Sequence, residues 1–315
     1  MKKQFFNHKP VFLKKAVCFL KIRNGGVYID ATLGGGGHTN LILKNDPRGA
    51  VFGFDLDEDA VNFNQQRFKK EIKEKRLFLV HSNFKNLAKQ MYLYGIKKID
   101  GIIFDLGVSS PQFDKKERGF SYRKNSRLDM RMDKRQTLDA YHAINYWDFG
   151  SLQRVLKEYG NEKFAYRIVR NIIKERALQP ITTTQQLVHI IKVSLPDYIL
   201  RRKGHPAKKT FQAIRIAIND ELNSLKSALE QSAKLLNNGG RIVVISFQSL
   251  EDRIVKNFFK KLVNKDRPPS KVPVKEKNIR KEFTIITKHP LKPGNREILN
   301  NHRSHSAKLR VLEKN

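Results

Sequence analysis

One cysteine, Cys18, is all that 315 residues contain, so no intrachain disulfide can form. No Cys/His cluster has zinc-ligand spacing either, which leaves no metal site to expect; Cys18 reads as a small core residue. Acidic residues are scarce: 30 Asp and Glu stand against 63 Lys and Arg, a formal charge of +33 at pH 7. Part of that excess can be an even lysine bias on a solvated surface, yet a field of this sign attracts polyanions, nucleic acid first. No apolar run approaches the roughly 18 residues of a membrane span. The N-terminal apolar stretch is interrupted by Lys9, Lys14 and Lys15, which removes the core of a signal peptide, so a cytoplasmic protein without membrane attachment is expected. There is no internal repeat. An apolar fraction of 39% with 10% aromatics excludes a mainly disordered chain, and the length suits about two domains.

From residue 27 onward, short apolar runs alternate with amphipathic stretches. Residues 27–33, 50–56, 77–81 and 99–106 read as buried parallel strands separated by helices, the rhythm of an open α/β sheet. From about Phe113 to Gly204 the periodicity becomes helical and the charge dense. Asp148 is placed to cap a helix running to Glu158, residues 161–177 follow, and Thr183 with Gln186 makes a capping box ahead of residues 187–193. This block reads as an inserted helical domain. Sheet character then returns: a long helix over 209–236 ends at Asn238-Gly239-Gly240, 241–246 is a strand, and 283–288 with 308–312 forms a closing antiparallel hairpin. Between them, 264–281 is a Pro- and Lys-rich mobile loop.

Residues 30–38 read DATLGGGGH, directly after a strand and before a helix. Glycines there allow a sharp turn and close approach of a ligand, with the free amides of the helix start aimed at it. A dinucleotide fingerprint would need a small residue at position 39, which is Thr39, so a nicotinamide cofactor is disfavoured. The next strand ends in Asp55, where a carboxylate can accept both hydroxyls of an adenosine ribose. With no pyrophosphate to hold, S-adenosylmethionine fits better. Asp57 and Glu58 read as acids at a helix N-terminus. The fourth strand, in DGIIFDLGVSSPQFD, ends in Asp105, which should face the same crevice and can offset a sulfonium charge or take a proton from an amine.

The chain resembles the bacterial 16S rRNA cytosine-N(4)-methyltransferases of the MraW/RsmH type over nearly its whole length. The resemblance rests on the His8-Lys9-Pro10-Val11 opening, DATLGGGGH, FDLGVSSPQFD, RGFSY at 118–122 and LDMRMD at 128–133, then on HPAKKTFQAIRIAINDEL at 205–222, SFQSLEDRIVK at 246–256 and SAKLR at 306–310. It implies a Rossmann-like class I S-adenosylmethionine-dependent methyltransferase sheet formed by residues 1–114 and 205–315, with 115–204 as an inserted helical substrate-recognition domain. It also implies N(4)-methylation of a decoding-centre (P-site) cytidine of 16S rRNA, with free rRNA and the small ribosomal subunit both open as the substrate. The cofactor contacts it implies fall on Gly36, Gly37, His38, Asp55, Phe84, Asp105 and Gln112. The sequence departs from the family pattern at Gln248, where a His is usual, at Asn161, where a Glu is usual, and at His302 and His305, where Pro and Arg are usual. Gln248 weakens any role for an imidazole base at that position.

A cytosine amine is a poor nucleophile because its lone pair is delocalised into the ring, so positioning must supply much of the acceleration. Asp105 and Ser110, the latter within the Ser109–Gln112 turn, are the catalytic candidates; the acid-or-amide, Pro-Pro, aromatic arrangement of many amino-methyltransferases is absent. Arg118, Phe120, Tyr122, Arg127 and Arg131 could hold a splayed base, and Arg167, Arg170, Lys174, Arg201 and Arg202 could track phosphates. Two rival readings share some of these features. An NAD-dependent oxidoreductase would keep the sheet and Asp55 but needs the missing small residue, and a non-catalytic RNA scaffold has no use for a glycine loop converging with two acids.

Overall fold

A computed structural model describes residues 10–264 and 281–315. The chain divides into two compact units, one spanning Asn7–Gly107 and Leu222–Asn315, the other Val108–Glu221.

Among the described residues the first unit is built on seven strands: β1 (Val27–Asp30), β2 (Ala50–Asp55), β3 (Leu77–His81), β4 (Ile99–Asp105), β5 (Leu236–Ser246), β6 (Phe283–Ile285) and β7 (Lys308–Lys314). Their order is β3-β2-β1-β4-β5-β7-β6. The first five are parallel, while β7 runs antiparallel between β5 and β6. Strand residues alternate between two cores, which is why the runs are apolar throughout rather than every second residue. Ile29, Phe52, Ile102, Phe104 and Val244 pack on one face with Leu225 and Leu229 of the helix Glu221–Leu235. Tyr28, Val51, Ile103, Val243 and Ile245 pack on the other with Ala16 and Val17 of the helix Leu13–Phe19 and Ile42 of the helix Gly37–Asn45. Each fully buried side chain of this size contributes roughly 1.5–3 kcal/mol. Strand order reverses between β1 and β4, the switch point where open α/β sheets bind ligands outside their carboxyl ends.

Cys18 is exposed, a correction to the core placement: Ala16 and Val17 form the inward face of its helix. Asn238-Gly239-Gly240 is a bulge inside β5 rather than a helix end. Ile99 pairs with Leu236 and Gly101 with Arg241, so the intervening residues leave the ladder, and Gly239 takes φ 73°. The pairing expected of the closing strands is present between β6 and β7, but the helix Asn295–Asn300 lies in their connection, so it is no tight hairpin. SAKLR leads into β7, beside an exposed His305; the side chain of His302 lies outside the described residues, as does 265–280 of the expected mobile loop.

The second unit is helical, with Ala140–Tyr146, Phe149–Glu158, Ala165–Leu178, Thr184–Val193 and Lys208–Ile218 around one core. Its caps form where the sequence places them: Asp148 accepts from the Ser151 amide at 2.8 Å, and Thr183 and Gln186 close a capping box. The unit is wider than the 115–204 block. Phe211, Ala213, Ile214 and Ile218 belong to its core, and Val108 and Phe113 pack against it. The long helix expected over 209–236 is broken, because Asp220 adopts a left-handed φ of 49°. Asn219, buried just before it, donates Nδ2–H to the Met130 and Arg215 carbonyls and accepts from the Met132 amide, which ties the LDMRMD segment down. Asn161 also sits left-handed, at φ 46°, a conformation asparagine tolerates better than most residues, and the next helix starts at Ala165 rather than 161.

Candidate functional site

The glycine loop is tied to the sheet by its backbone: the Phe54 and Ile103 carbonyls accept from the Leu33 and Ala31 amides at 2.8 and 2.9 Å. Side chains then fix its far end. Asn64, fully buried on the helix Glu58–Arg67, donates Nδ2–H to the Gly34 carbonyl at 2.8 Å, and Arg67 donates to the Gly35 carbonyl. Gly34 and Gly36 have φ of 48° and 72°. A Cβ on Gly36 would collide with Asn64 Oδ1, and one on Gly37 would collide with Pro10 Cγ. These two glycines therefore answer first to the protein's own packing, which fixes the loop before any ligand arrives. Thr39 is also fully buried and donates its hydroxyl to Asp30 Oδ2 at 2.7 Å. That is why the small residue of a dinucleotide site is missing here: its place is filled by a loop-pinning hydrogen bond.

Acids collect at the strand ends. Asp30 ends β1, Asp55 ends β2 and Asp105 ends β4, and the charge of Asp30 acts on both of the others. Asp55 Oδ2 accepts from the Gly34 amide at 2.8 Å and Oδ1 from the Asp57 amide at 2.9 Å, so it links β2 to the glycine loop. Burial pushes the Asp55 carboxyl up to about 7 and that of Asp30 up to about 6, against the hydrogen bonds each accepts. For Asp105, burial and then the charges of Asp30 and Glu251 raise the carboxyl well above the usual range. Its Oδ1 is buried with no hydrogen-bond partner. His38, 3% exposed, is pulled down to about 4 by burial and is therefore neutral at pH 7. Its Nδ1 lies 3.9 Å from Asp105 Oδ2, too far for a hydrogen bond, and its Nε2 has no partner.

Phe84 follows β3 by three residues, on a short turn started by Asn83, with its half-buried ring edge-on to Phe104 at 5.8 Å. Gly36, Gly37, His38, Asp55, Phe84 and Asp105 thus all belong to the sheet unit, at or just after the carboxyl ends of β1 to β4. Gln112 belongs to the helical unit, where its Oε1 accepts from the Ser109 amide at 3.0 Å in the capping box of the helix Ser110–Asp114. Ser110 opens that helix; its side chain lies outside the described residues.

Several groups escaped the sequence reading. The strand-end rule that selects Asp105 selects Asp30 equally well, whereas Asn64 and Glu251 show themselves only as polar residues on buried helix faces. Glu251 is 3% exposed and accepts from the Phe247 and Gln248 amides at 2.9 and 3.1 Å. Two members of the base-holding set, Arg118 and Phe120, need correction. Arg118 is buried and donates to the Arg131 and Met132 carbonyls, and Phe120 is core. Arg131 is bound to Asp129, while Arg127 pairs with Asp139 at 2.6 Å. Tyr122 stacks on His205 with centroids 4.3 Å apart. By contrast Arg167, Arg170, Lys174, Arg201 and Arg202 are exposed, Arg202 lying over the Tyr198 ring. Among the described residues no group of three His, Cys, Asp or Glu could hold a metal ion, and no helix is long and apolar enough to cross a membrane.

The donor set suits a ligand that brings a positive charge and ribose hydroxyls: raised acids, a neutral buried imidazole and orphaned acceptors around a rigid loop. Comparison with known proteins points the same way. The model of the MraW methylase family matches residues 5–315. The ribosomal RNA small subunit methyltransferase H of Oenococcus oeni is 61% identical over 310 residues, covering 98% of this chain and 99% of that protein. Its namesakes in Limosilactobacillus fermentum and Halothermothrix orenii are each 50% identical over 309 residues, covering 98% of both chains.

Proposed function

Because this chain belongs to the MraW methylase family, we propose that it methylates the exocyclic N4 amine of a decoding-centre (P-site) cytidine in 16S rRNA, with S-adenosylmethionine as donor. The observation that carries this reading is the set of three strand-end acids, Asp30, Asp55 and Asp105, all raised by burial and none bonded to a Lys or Arg among the described residues. Bound S-adenosylmethionine supplies an electrophilic methyl on a cationic sulfonium. In this reading the Gly36–Gly37 backbone and His38 take the methionine portion, Asp55 accepts from the ribose hydroxyls, and Phe84 offers a flat face to the adenine. Asp105 would answer the positive charge, and its Oδ1 would receive the proton that N4 sheds as the N–C bond forms, the methyl–sulfur bond breaks and S-adenosylhomocysteine is left behind. Gln112 holds the Ser109–Gln112 turn through its helix cap and remains a proposed cofactor contact, while Ser110 on that turn helps align the amine.

The helical unit is the RNA-recognition element of this proposal, through exposed cations such as Arg167, Arg170 and Lys174. The test is to incubate the purified protein with methyl-labelled S-adenosylmethionine and either free 16S rRNA or small subunits, then identify the labelled nucleoside by mass spectrometry. N4-methylcytidine at one position, with small subunits the better substrate, is the expected product. Label on another base or atom, or thermal stabilisation by NAD in place of S-adenosylmethionine, would overturn the reading.

A further inference from the structure

Another buried acceptor, two residues past a strand end, has no donor among the described residues. Gln248 follows β5 and immediately precedes the helix Ser249–Asn264. Its backbone amide donates to Glu251 Oε2 at 3.1 Å, which is one half of a capping box. The other half would need a short Ser, Thr or Asp side chain; Gln248 is too long for it, and its Oε1 is buried with no hydrogen-bond partner. An unpaired buried acceptor is destabilising, so a donor from outside the chain is the natural completion. The position is also specific. Asp105 pairs in register with Ile245, three residues before Gln248, and Glu251, which anchors the Gln248 backbone, is close enough to act on the Asp105 charge.

Strand order identifies the donor. Across the row of strand ends come Phe84 after β3, Asp55 on β2, the glycine loop after β1, Asp105 on β4 and Gln248 after β5. On the reading above, these stations run from adenine through ribose and the methionine portion to the reacting centre, which leaves β5 on the side of the methyl acceptor. We propose that Gln248 Oε1 accepts a hydrogen bond from the N4–H of the target cytosine and thereby orients the amine, with Asp105 taking the proton that is lost. This rests on the cytosine-N4 reading. A carboxamide can accept but cannot serve as a base. It shares that accepting ability with the His usual at this position in the family that the sequence resembles, so the common property is orientation.

Two variants of the full-length protein test this. Gln248→Met keeps the length and removes the acceptor; Gln248→His restores the residue usual in the family. For Gln248→Met the single-turnover methylation rate should fall at least tenfold while affinity for S-adenosylhomocysteine, measured by calorimetry, stays within twofold. Its Tm should be unchanged or higher, since an orphaned polar atom has been removed, whereas a structural residue would lower it. For Gln248→His the rate relative to the unaltered protein should drop as pH falls through about 6.5, where an imidazole protonates and ceases to accept. A Gln248→Met rate equal to that of the unaltered protein, a lowered Tm, a loss of S-adenosylhomocysteine affinity, or a pH-independent rate ratio for Gln248→His would each overturn the proposal. Failure of the underlying reading looks different: the unaltered protein would then form no N4-methylcytidine at all.

Discussion

The strand-end acids of the sheet unit and the paired acids of the helical unit have opposite surroundings. In the helical unit Asp129 is gripped by Arg131 through Nε at 2.9 Å and Nη2 at 2.8 Å, with Arg127 nearby, and despite partial burial its carboxyl is lowered. Arg215 holds Glu221 in the same two-pronged way, at 2.7 and 2.8 Å. In the sheet unit Asp252, bound by Arg310 and Lys308, is lowered too. Asp30, Asp55 and Asp105 are raised, with neutral hydrogen-bond donors or nothing at all where those acids have guanidinium groups. Cation supply does not explain the difference. Val108–Glu221 carries 23 Lys and Arg against 12 Asp and Glu, and the remaining residues carry 40 against 18, so basic charge is spread evenly over the two regions. In a chain of net charge +33, acids without a cation mark a place kept for a charged ligand.

Removing a member of each class should separate them. The largest effect is expected from Asp105→Asn: turnover falls by about 10²–10⁴, the range for losing a proton acceptor, while cofactor affinity falls by much less. Single-turnover methylation beside calorimetric titration gives both numbers, and equal losses would make Asp105 a cofactor anchor only. Asp55→Ala comes next, with cofactor affinity lowered by about 10- to 100-fold, in line with charge-assisted hydrogen bonds worth roughly 1.5–3 kcal/mol, and a far-ultraviolet spectrum unchanged. A folded Asp55→Ala protein with full affinity removes that residue from the site. Arg118→Met should do the reverse. It strands two carbonyls in the helical unit and costs about 1–3 kcal/mol in denaturant unfolding, with cofactor affinity preserved.

The smallest effect concerns the exposed cations. Reversing Arg167, Arg170 and Lys174 together should flatten the salt dependence of rRNA binding by about 0.7 in log–log slope for each phosphate no longer neutralised, with cofactor binding untouched. An unchanged slope would make this helix face merely solvated and direct the search for the RNA path to the sheet unit, which is equally basic.

How far the sequence reveals all this depends on how local each feature is. The strands, the DATLGGGGH turn, Asp55 and Asp105 are legible because strand burial and strand-end acids follow a short-range pattern. The Asp148 and Thr183 caps are legible for the same reason. What the pattern hides is tertiary. Arg118 and Arg131 look like RNA ligands until the LDMRMD backbone folds around them, and the helix break at Asp220 serves the distant hydrogen bonds of Asn219. Gly36 and Gly37 look like ligand cradles, although Asn64 and Pro10 are what crowd them. The orphaned oxygen of Gln248 is visible only once Glu251 has taken the backbone amide.

The raised acids also fix a pH dependence. An acid whose folded pKa is raised binds more protons folded than unfolded, so the stability of the ligand-free protein should fall as pH rises from about 4 through the values of about 6 and 7 at Asp30 and Asp55. A bound cation favours the ionised carboxylates, so its binding must release protons and its affinity must rise with pH across that window. S-adenosylmethionine and S-adenosylhomocysteine differ in the sulfonium charge and the methyl that creates it. The most direct test is to titrate both by calorimetry at a pH of about 6.5, between the values of Asp30 and Asp55, in buffers of different ionisation enthalpy, and to count the protons released. Greater release is expected with S-adenosylmethionine, together with a preference for it over S-adenosylhomocysteine that grows with pH. Equal release and a pH-independent preference would contradict the claim that these acids are left unpaired to receive a cation.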